Sequence, residues 1–569
     1  MAGNAGIEFD AIVVGSGISG GWAAKELTER GLKVLLLERG PNMIHGKDYV
    51  GEGKAPWEMP YRGRMNEELV SSDYYVQQDC YAFNDFTKQF FVNDRRHAYE
   101  TPEDKPFTWI RGYQLGGRSL LWHRQTYRWS DLDFRANKLD GHGVDWPIRY
   151  KDLAPWYDHV EIFAGISGSL EGLPQLPDGK FLPPMEMNCV EKEIKQKIEK
   201  KFPTRKMIIG RCAHLTEPTA EHLALGRGRC MSREECQRGC SFGAFFSSLS
   251  ATLPAARLTG NLTIATDAIV HSVVYDAANK RATGVRVIDA NTRETREYRS
   301  RVVFLCASTL GSAQIMLNST SEYFPTGIAN SSGTLGRYLM DHCMLAGAEC
   351  EYPGHEDEYY SGRRPNGIYV PRFRNVTEKD DRFLRGFGYQ GSAYRPSWRR
   401  GNQTAGIGVD LKSRLRKPGP WRFRISGFGE MLPDKRNYVW LDEKKRDEWG
   451  IPILNIDCKY RGNEDAMRVA MAEDAEEMMV AIGLANVEKF NHDVPPGLAI
   501  HEMGTARMGR DPRTSVLNEF NQAHDVPNLF VTDGASMTST ACQNPSLTYM
   551  ALTARASATA VEMLREGKI

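Results

Sequence analysis

Residues 9–38 constrain the fold of this chain more than any other stretch. FDAIVV (9–14) reads as a short buried strand, GSGISGGWAAKELTERG as a tight turn opening a helix, and LKVLLLERG as a second strand. Where strand meets helix, Gly15, Gly17 and Gly20 form G-x-G-x-x-G. In such a turn the first glycine permits the bend, the second lets backbone approach a pyrophosphate, and the third lets helix and strand pack closely. The pyrophosphate then sits on the positive end of the helix dipole. Glu38 ends the second strand, 18 residues after Gly20 and beside Arg39, where a carboxylate can accept hydrogen bonds from a ribose hydroxyl. A glycine-rich turn without a ligand would not need strand, helix, second strand and acidic residue all in place. The expectation is a dinucleotide-binding domain.

Composition narrows the remaining choices. The 569 residues carry 73 basic and 72 acidic side chains with no long block of either sign. That balance points away from nucleic acid, anionic membrane surfaces and polyanionic substrates. No apolar run approaches the ~18 residues of a membrane span. The stretch MAGNAGIEFD has neither a basic start nor an apolar core, so no secretory signal is expected. Eleven cysteines in a chain of this length are too sparse for a disulfide-built fold.

The glycine motif does not separate NAD from FAD. LGGRSLLWHRQTYRW (115–129), DWPIRYKDLAPWYD (145–158), HEMGTARMG (501–509), NLFVTDGASM (528–537) and NPSLTYMALTARAS (544–557) do, because together they resemble the glucose–methanol–choline (GMC) oxidoreductases. The likeness runs from residue 9 to about residue 563. It implies FAD, and a carboxy-terminal return through Asp533 and Gly534 that completes the flavin site. It also implies flavin contacts from Gly116, Gly117, Ser119, Trp122 and His123, and an adenine contact around Ala268 to Val270. Some relatives attach FAD through a histidine near the glycine pair; here Leu121 stands at that position, so non-covalent FAD is expected.

The fold expected is α/β: a Rossmann-like FAD domain with an inserted α+β substrate domain built on an antiparallel sheet. The division is 1–337 and 500–569 for the FAD domain and 338–499 for the insert. Residues 261–306 alternate as strands and should form a small sheet beside the Rossmann sheet. EDAMRVAMAEDAEEMMVAIG (464–483) has apolar residues at helical spacing, so its methionines read as core packing. Tyr389, Tyr394, Trp398 and Arg399 fit a sugar pocket or a packed sheet face equally well.

Oxidising an alcohol with a flavin needs a base for the hydroxyl proton, and histidine suits that task. The resemblance assigns it to His501, with Asn544, beside Pro545, hydrogen-bonding the substrate oxygen. His342 matches a recurrent family position and reads as structural.

One segment is foreign to an ordinary flavoenzyme. RCMSREECQRGCSFGAFF (229–246) places Cys230, Cys236 and Cys240 as Cys-x5-Cys-x3-Cys, with Cys212 upstream. Within the family such thiols resemble those of bacterial sugar dehydrogenase subunits carrying a [3Fe–4S] cluster, although Met231 replaces a further cysteine often found there. Zinc, a disulfide with one free thiol, and three inert thiols stay open. A cluster would carry electrons from a two-electron flavin to a one-electron acceptor, which favours a dehydrogenase over an oxidase. Within the family, RQTYRWSDLDFRAN and DGHGVDWPIRYKDLAPWYD look most like glucoside 3-dehydrogenase catalytic subunits. That likeness implies oxidation of a glycoside C3 hydroxyl, a small accessory subunit, a c-type cytochrome acceptor, and periplasmic work by co-export, with a cytoplasmic location as the alternative. A sugar oxidase, a gluconate-type dehydrogenase and a flavin-containing lyase are the other readings.

Overall fold

The computed structural model describes residues 8–359, 367–396, 400 and 404–569. The strand Phe9–Val14 pairs in parallel with Val34–Leu37 on one side and with Thr295–Leu305 on the other. Val34–Leu37 pairs onward with Leu262–Ala265, and Leu529–Val531 pairs with the end of Thr295–Leu305. Side chains buried on both faces of these parallel strands explain their runs of Val, Ile, Leu and Phe.

Thr295–Leu305 is long enough to serve two pairings. Its second half lies in the parallel core, while its first half pairs antiparallel with Arg281–Asp289, which pairs in turn with Ala268–Asp276. The hairpins expected as a small separate sheet therefore continue the Rossmann sheet, giving seven strands in all. Thr295–Leu305 has 11 residues, and its sequence does not mark where one pairing hands over to the other.

A second, six-stranded sheet is antiparallel throughout, in the order 485–491, 343–352, 421–429, 387–394, 368–370, 208–209. Its edge strand, Ile208–Ile209, comes from outside the span 338–499. The helix Gly462–Ala481 packs across this sheet, with Met467, Met471, Met478 and Met479 fully buried. Gly427 and Gly429 admit it: a Cβ on either would lie 2.5 Å from Met471 Sδ or 2.4 Å from Met467 Sδ. A four-stranded sheet joins the two bodies, pairing Met503–Thr505 with Arg337–Met340. His342 and His501 thereby emerge side by side where the sheets meet. Among the described residues no helix is long and apolar enough to cross a membrane.

Candidate active site

The glycine turn is built as its spacing predicts. Gly15 sits at φ +94°, and a Cβ there would lie 2.5 Å from Cys306 O. A Cβ on Gly20 would fall 1.7 Å from Gly15 O, so Gly20 is a packing glycine and does not face the cleft. Around Gly17, by contrast, a Cβ would meet nothing within 4 Å. The helix Ile18–Glu29 carries no side-chain cap at its start, which leaves amides of its first turn free for an anion. Glu38 is buried and accepts from Ser16 N at 3.1 Å and Gly40 N at 2.9 Å. Burial pushes its carboxyl up, against the pull of those hydrogen bonds.

One cavity of about 500 Å³ connects these groups to the histidines. At one end lie Glu38, Arg39 and Val270, with Arg39 stacked over Tyr113 and Trp449 and ion-paired to Asp447. Gly15, Gly17, Asp533 and Gly534 line its middle. At the other end are Gly117, Ser119, Trp122, His123, Leu121, His501, Asn544 and Pro545. Gly116 does not line the cavity: it turns the chain at φ +93°, with Leu249 Cγ 2.9 Å from where a Cβ would stand. The open face at Gly17, the uncapped helix start and the buried Glu38 fit FAD, and these residues would hold it.

The polar chain at the domain junction has a determined direction. His342 Nε2 faces two carbonyl oxygens, of Ala541 at 2.9 Å and Thr540 at 3.3 Å, and must donate to them. Burial pushes the His342 pKa down to about 4, so the ring is neutral and its Nδ1 is an acceptor. His501 Nδ1, 2.9 Å away, then carries the proton, which leaves a lone pair on His501 Nε2. Asn544 must turn its Nδ2 toward that lone pair, at 3.3 Å, and its Oδ1 accepts from Gln390 Nε2 at 2.7 Å. Burial, then the neighbouring His342 ring and Arg118, hold the His501 pKa well below the usual histidine range. His501 is thus a neutral base, ready to accept a proton at Nε2.

Two further groups brace it. Asp341 accepts from the backbone amides of Gly497, Ala499 and His501, at 2.7, 3.2 and 3.1 Å. Arg118 makes two parallel hydrogen bonds to Glu502, at 3.0 and 2.9 Å, beside the cavity. Sequence reasoning did not name Gln390, Asp341, Arg118 or Glu502 for the site; His342, read there as structural, hydrogen-bonds His501. Tyr389 is fully buried and donates to Met471 O at 2.7 Å, so it belongs to the core; Tyr394 donates to Glu349 on the sheet's outer part. Trp398 and Arg399 lie outside the described residues.

The thiol segment docks directly behind the flavin end of the cavity. Trp122 Nε1 donates to Phe246 O at 2.9 Å, and Arg124 Nη2 donates to Cys236 O at 2.8 Å. Cys230, Cys236 and Cys240 are half-buried, and His214 Nε2 lies 3.7 Å from Cys236 Sγ. Burial pushes the Cys236 thiol up to about 11, Arg124 opposes this, and Cys230, Cys240 and Cys212 add to it. Arg124 is buried with Nε and Nη1 unbonded, and the groups acting on its charge are Cys236, Tyr81, Cys240 and Tyr49, none a carboxylate. Arg227, also buried, donates to the carbonyls of Gly243, Phe163 and Ala164, and burial holds its pKa down. Among the described residues the three thiols do not converge to the 4.8 Å spacing of a single-ion site.

A dinucleotide cleft completed by a carboxy-terminal return, with a neutral histidine base at the domain junction, defines a flavin-dependent oxidoreductase of alcohols. The chain belongs to the GMC oxidoreductase family, whose amino-terminal model matches residues 9–344 and carboxy-terminal model residues 433–553. It is 29% identical to 2-methyl-1,2-propanediol dehydrogenase of Mycolicibacterium austroafricanum, over 96% of this chain and 94% of that one. It is 24% identical to the fructose dehydrogenase large subunit of Gluconobacter japonicus, over 99% and 100%. The fold superposes on formate oxidase of Aspergillus oryzae with a TM-score of 0.63 at 13% identity, over 99% of each chain. The protein is an FAD-dependent oxidoreductase acting on CH–OH donors of the alcohol and sugar type.

Proposed function

We propose that this chain is the catalytic subunit of a sugar or glycoside dehydrogenase, converting a secondary hydroxyl, the C3 hydroxyl of glucosides, to a ketone. Residues 338–499 would bind the sugar, and 1–337 with 500–569 would hold FAD non-covalently. The observation that carries this reading is the directed chain from Ala541 through His342 to the accepting lone pair of His501 Nε2. His501 takes the hydroxyl proton there, and Asn544, its amide oriented by Gln390, donates to the substrate oxygen. FAD in the cavity would supply the acceptor for the hydride from the same carbon.

A dehydrogenase reading is supported by the thiol segment. Three thiolates and three irons match in a [3Fe–4S] cluster, which is anionic. Arg124 and Arg227 are buried cations against those thiols, and among the described residues neither ion-pairs with a carboxylate, so an anionic group there would offset their desolvation. Full-length likeness to a fructose dehydrogenase large subunit supports a multisubunit enzyme; a small accessory subunit, a c-type cytochrome acceptor and co-export to the periplasm complete the proposal. The test is anaerobic: a panel of sugars and glycosides, together with small diols, is added to the purified protein, and the product of whichever bleaches the flavin is identified. A 3-keto glycoside supports the reading. Bleaching by diols alone sinks it.

A further inference from the structure

Among the described residues, one cluster away from the flavin cavity and the thiol segment gathers three metal-ligating side chains. Cys189 opens the helix Cys189–Lys201, and His355 and Glu358 lie in the turn that follows the strand Cys343–Tyr352. Their ligand atoms all lie within 4.8 Å of one another. We propose that Cys189, His355 and Glu358 form a zinc site that fastens the start of this helix to the turn beyond the six-stranded sheet.

The donor chemistry selects the ion. One sulfur, one imidazole nitrogen and one carboxylate oxygen match zinc, whereas calcium and magnesium take oxygen ligands almost throughout. A Cys189 thiolate and a Glu358 carboxylate together balance the charge of Zn²⁺. Binding displaces the thiol proton and any proton on His355, so it releases protons to solvent.

The surrounding groups are arranged as a metal-bound histidine requires. Nδ1 of His355 faces Glu358 Oε1 at 3.0 Å, and the opposite nitrogen, Nε2, faces Glu193 Oε1 at 2.8 Å. A carboxylate on the far nitrogen orients a ligating ring and raises its basicity. Glu193 is itself held, since Tyr352 donates to its other oxygen and Lys197 donates to Tyr352 at 3.1 Å. The backbone of His355 is fixed as well, its carbonyl accepting from Trp421 Nε1 at 3.0 Å. The Glu358 side chain is 53% exposed, which leaves an entry for the ion and a fourth position for water. Without metal, the same groups form a hydrogen-bonded cluster in which the Cys189 thiol and His355 both face Glu358.

FAD-loaded protein, equilibrated with zinc and desalted, should retain about one zinc per chain. With cobalt in place of zinc, ligand-field bands should appear at wavelengths longer than the oxidised flavin absorbs. Cys189→Ser and His355→Gln should lose both signals, while Cys236→Ser should keep them, which separates this site from the thiol segment. Glu193→Gln, which removes no ligand, should weaken zinc by about 10- to 100-fold. Added zinc should raise the melting temperature of the parent and not of Cys189→Ser, as binding to the native state alone requires. Equal zinc retention by parent, Cys189→Ser and His355→Gln would overturn the site, as would a parent that retains none. Unchanged affinity in Glu193→Gln would overturn the assigned role of Glu193.

Discussion

The two regions that flank the flavin end of the cavity differ in how far the protein alone completes them. On the substrate side, each member of the chain Ala541–His342–His501–Asn544–Gln390 has a partner, and each bond determines the polarity of the next. On the thiol side, two buried guanidiniums face carbonyls and thiols, and among the described residues neither ion-pairs with a carboxylate. Buried charge without a counter-charge is costly. A base must be ready before substrate arrives, so its environment is finished in the protein. On the thiol side, the anionic cluster proposed above would offset that cost.

The sharpest way to break the comparison is to remove the base. His501→Ala should slow flavin reduction by about 10²- to 10⁴-fold, the range for losing a general base, and should keep FAD, whose contacts lie along Gly15, Gly17 and Glu38. Stopped-flow reduction by substrate is the readout, and a parental rate would remove His501 from the mechanism. Cys236→Ser attacks the other side. Iron should fall from about three per flavin to none, and cytochrome reduction should drop by about tenfold or more, with flavin reduction changed by less than about twofold. Iron-free parent protein from an anaerobic preparation would refute the cluster and leave the substrate side untouched.

His342→Ala tests whether polarity is passed along the chain. Without a ring to accept from His501 Nδ1, the His501 proton can move to Nε2, and flavin reduction should fall by about tenfold. Gln offers an acceptor toward His501 and a donor toward Ala541, so His342→Gln should recover most of the rate. The pH profile adds an independent readout. His501 works only when neutral, and its pKa is depressed by burial and by His342, so the parent should hold its rate as pH falls through 6.5 and lose it only well below. In His342→Ala the contribution of His342 is removed while burial and Arg118 remain, and the acid limb should move up part of the way toward 6.5.

What the sequence shows of this molecule depends on the range over which each feature acts. Gly15, Gly17, Gly20 and Glu38 are local: strand, turn and helix place them within 24 residues, and their spacing suffices. His501 and Asn544 are 43 residues apart and come forward only because each falls on a family motif. The contacts that polarise them join residues 159 and 154 apart, and Arg118 meets Glu502 across 384, so no spacing announces them. Strand alternation is ambiguous in a different way. FGYQGSAY puts neighbouring residues on opposite faces, and only the helix Gly462–Ala481 decides that Tyr389 faces the core and Gln390 the site. The double pairing of Thr295–Leu305 is hidden for the same reason, since both halves have strand character.

Gln390 gives the smallest and most discriminating test. It reaches no substrate in the proposed mechanism and acts by holding Asn544 Oδ1, so that Asn544 Nδ2 points at the reacting oxygen. Losing one neutral hydrogen bond costs about 0.5–1.5 kcal/mol, which corresponds to a two- to tenfold slower flavin reduction in Gln390→Ala. A group that only packs against the sheet would lower stability and leave the rate constant of reduction alone. A positioning group should instead slow reduction at saturating substrate while the melting temperature stays close to parental. Gln390→Glu should be worse than Ala at pH values where the new carboxylate is ionised, because an acceptor would then face Asn544 Oδ1 and drive the amide to flip. The flip would present Oδ1 to the lone pair of His501 Nε2, two acceptors face to face. If Gln390→Glu and Gln390→Ala reduce their flavins at the parental rate, the direction of the chain stops at Asn544.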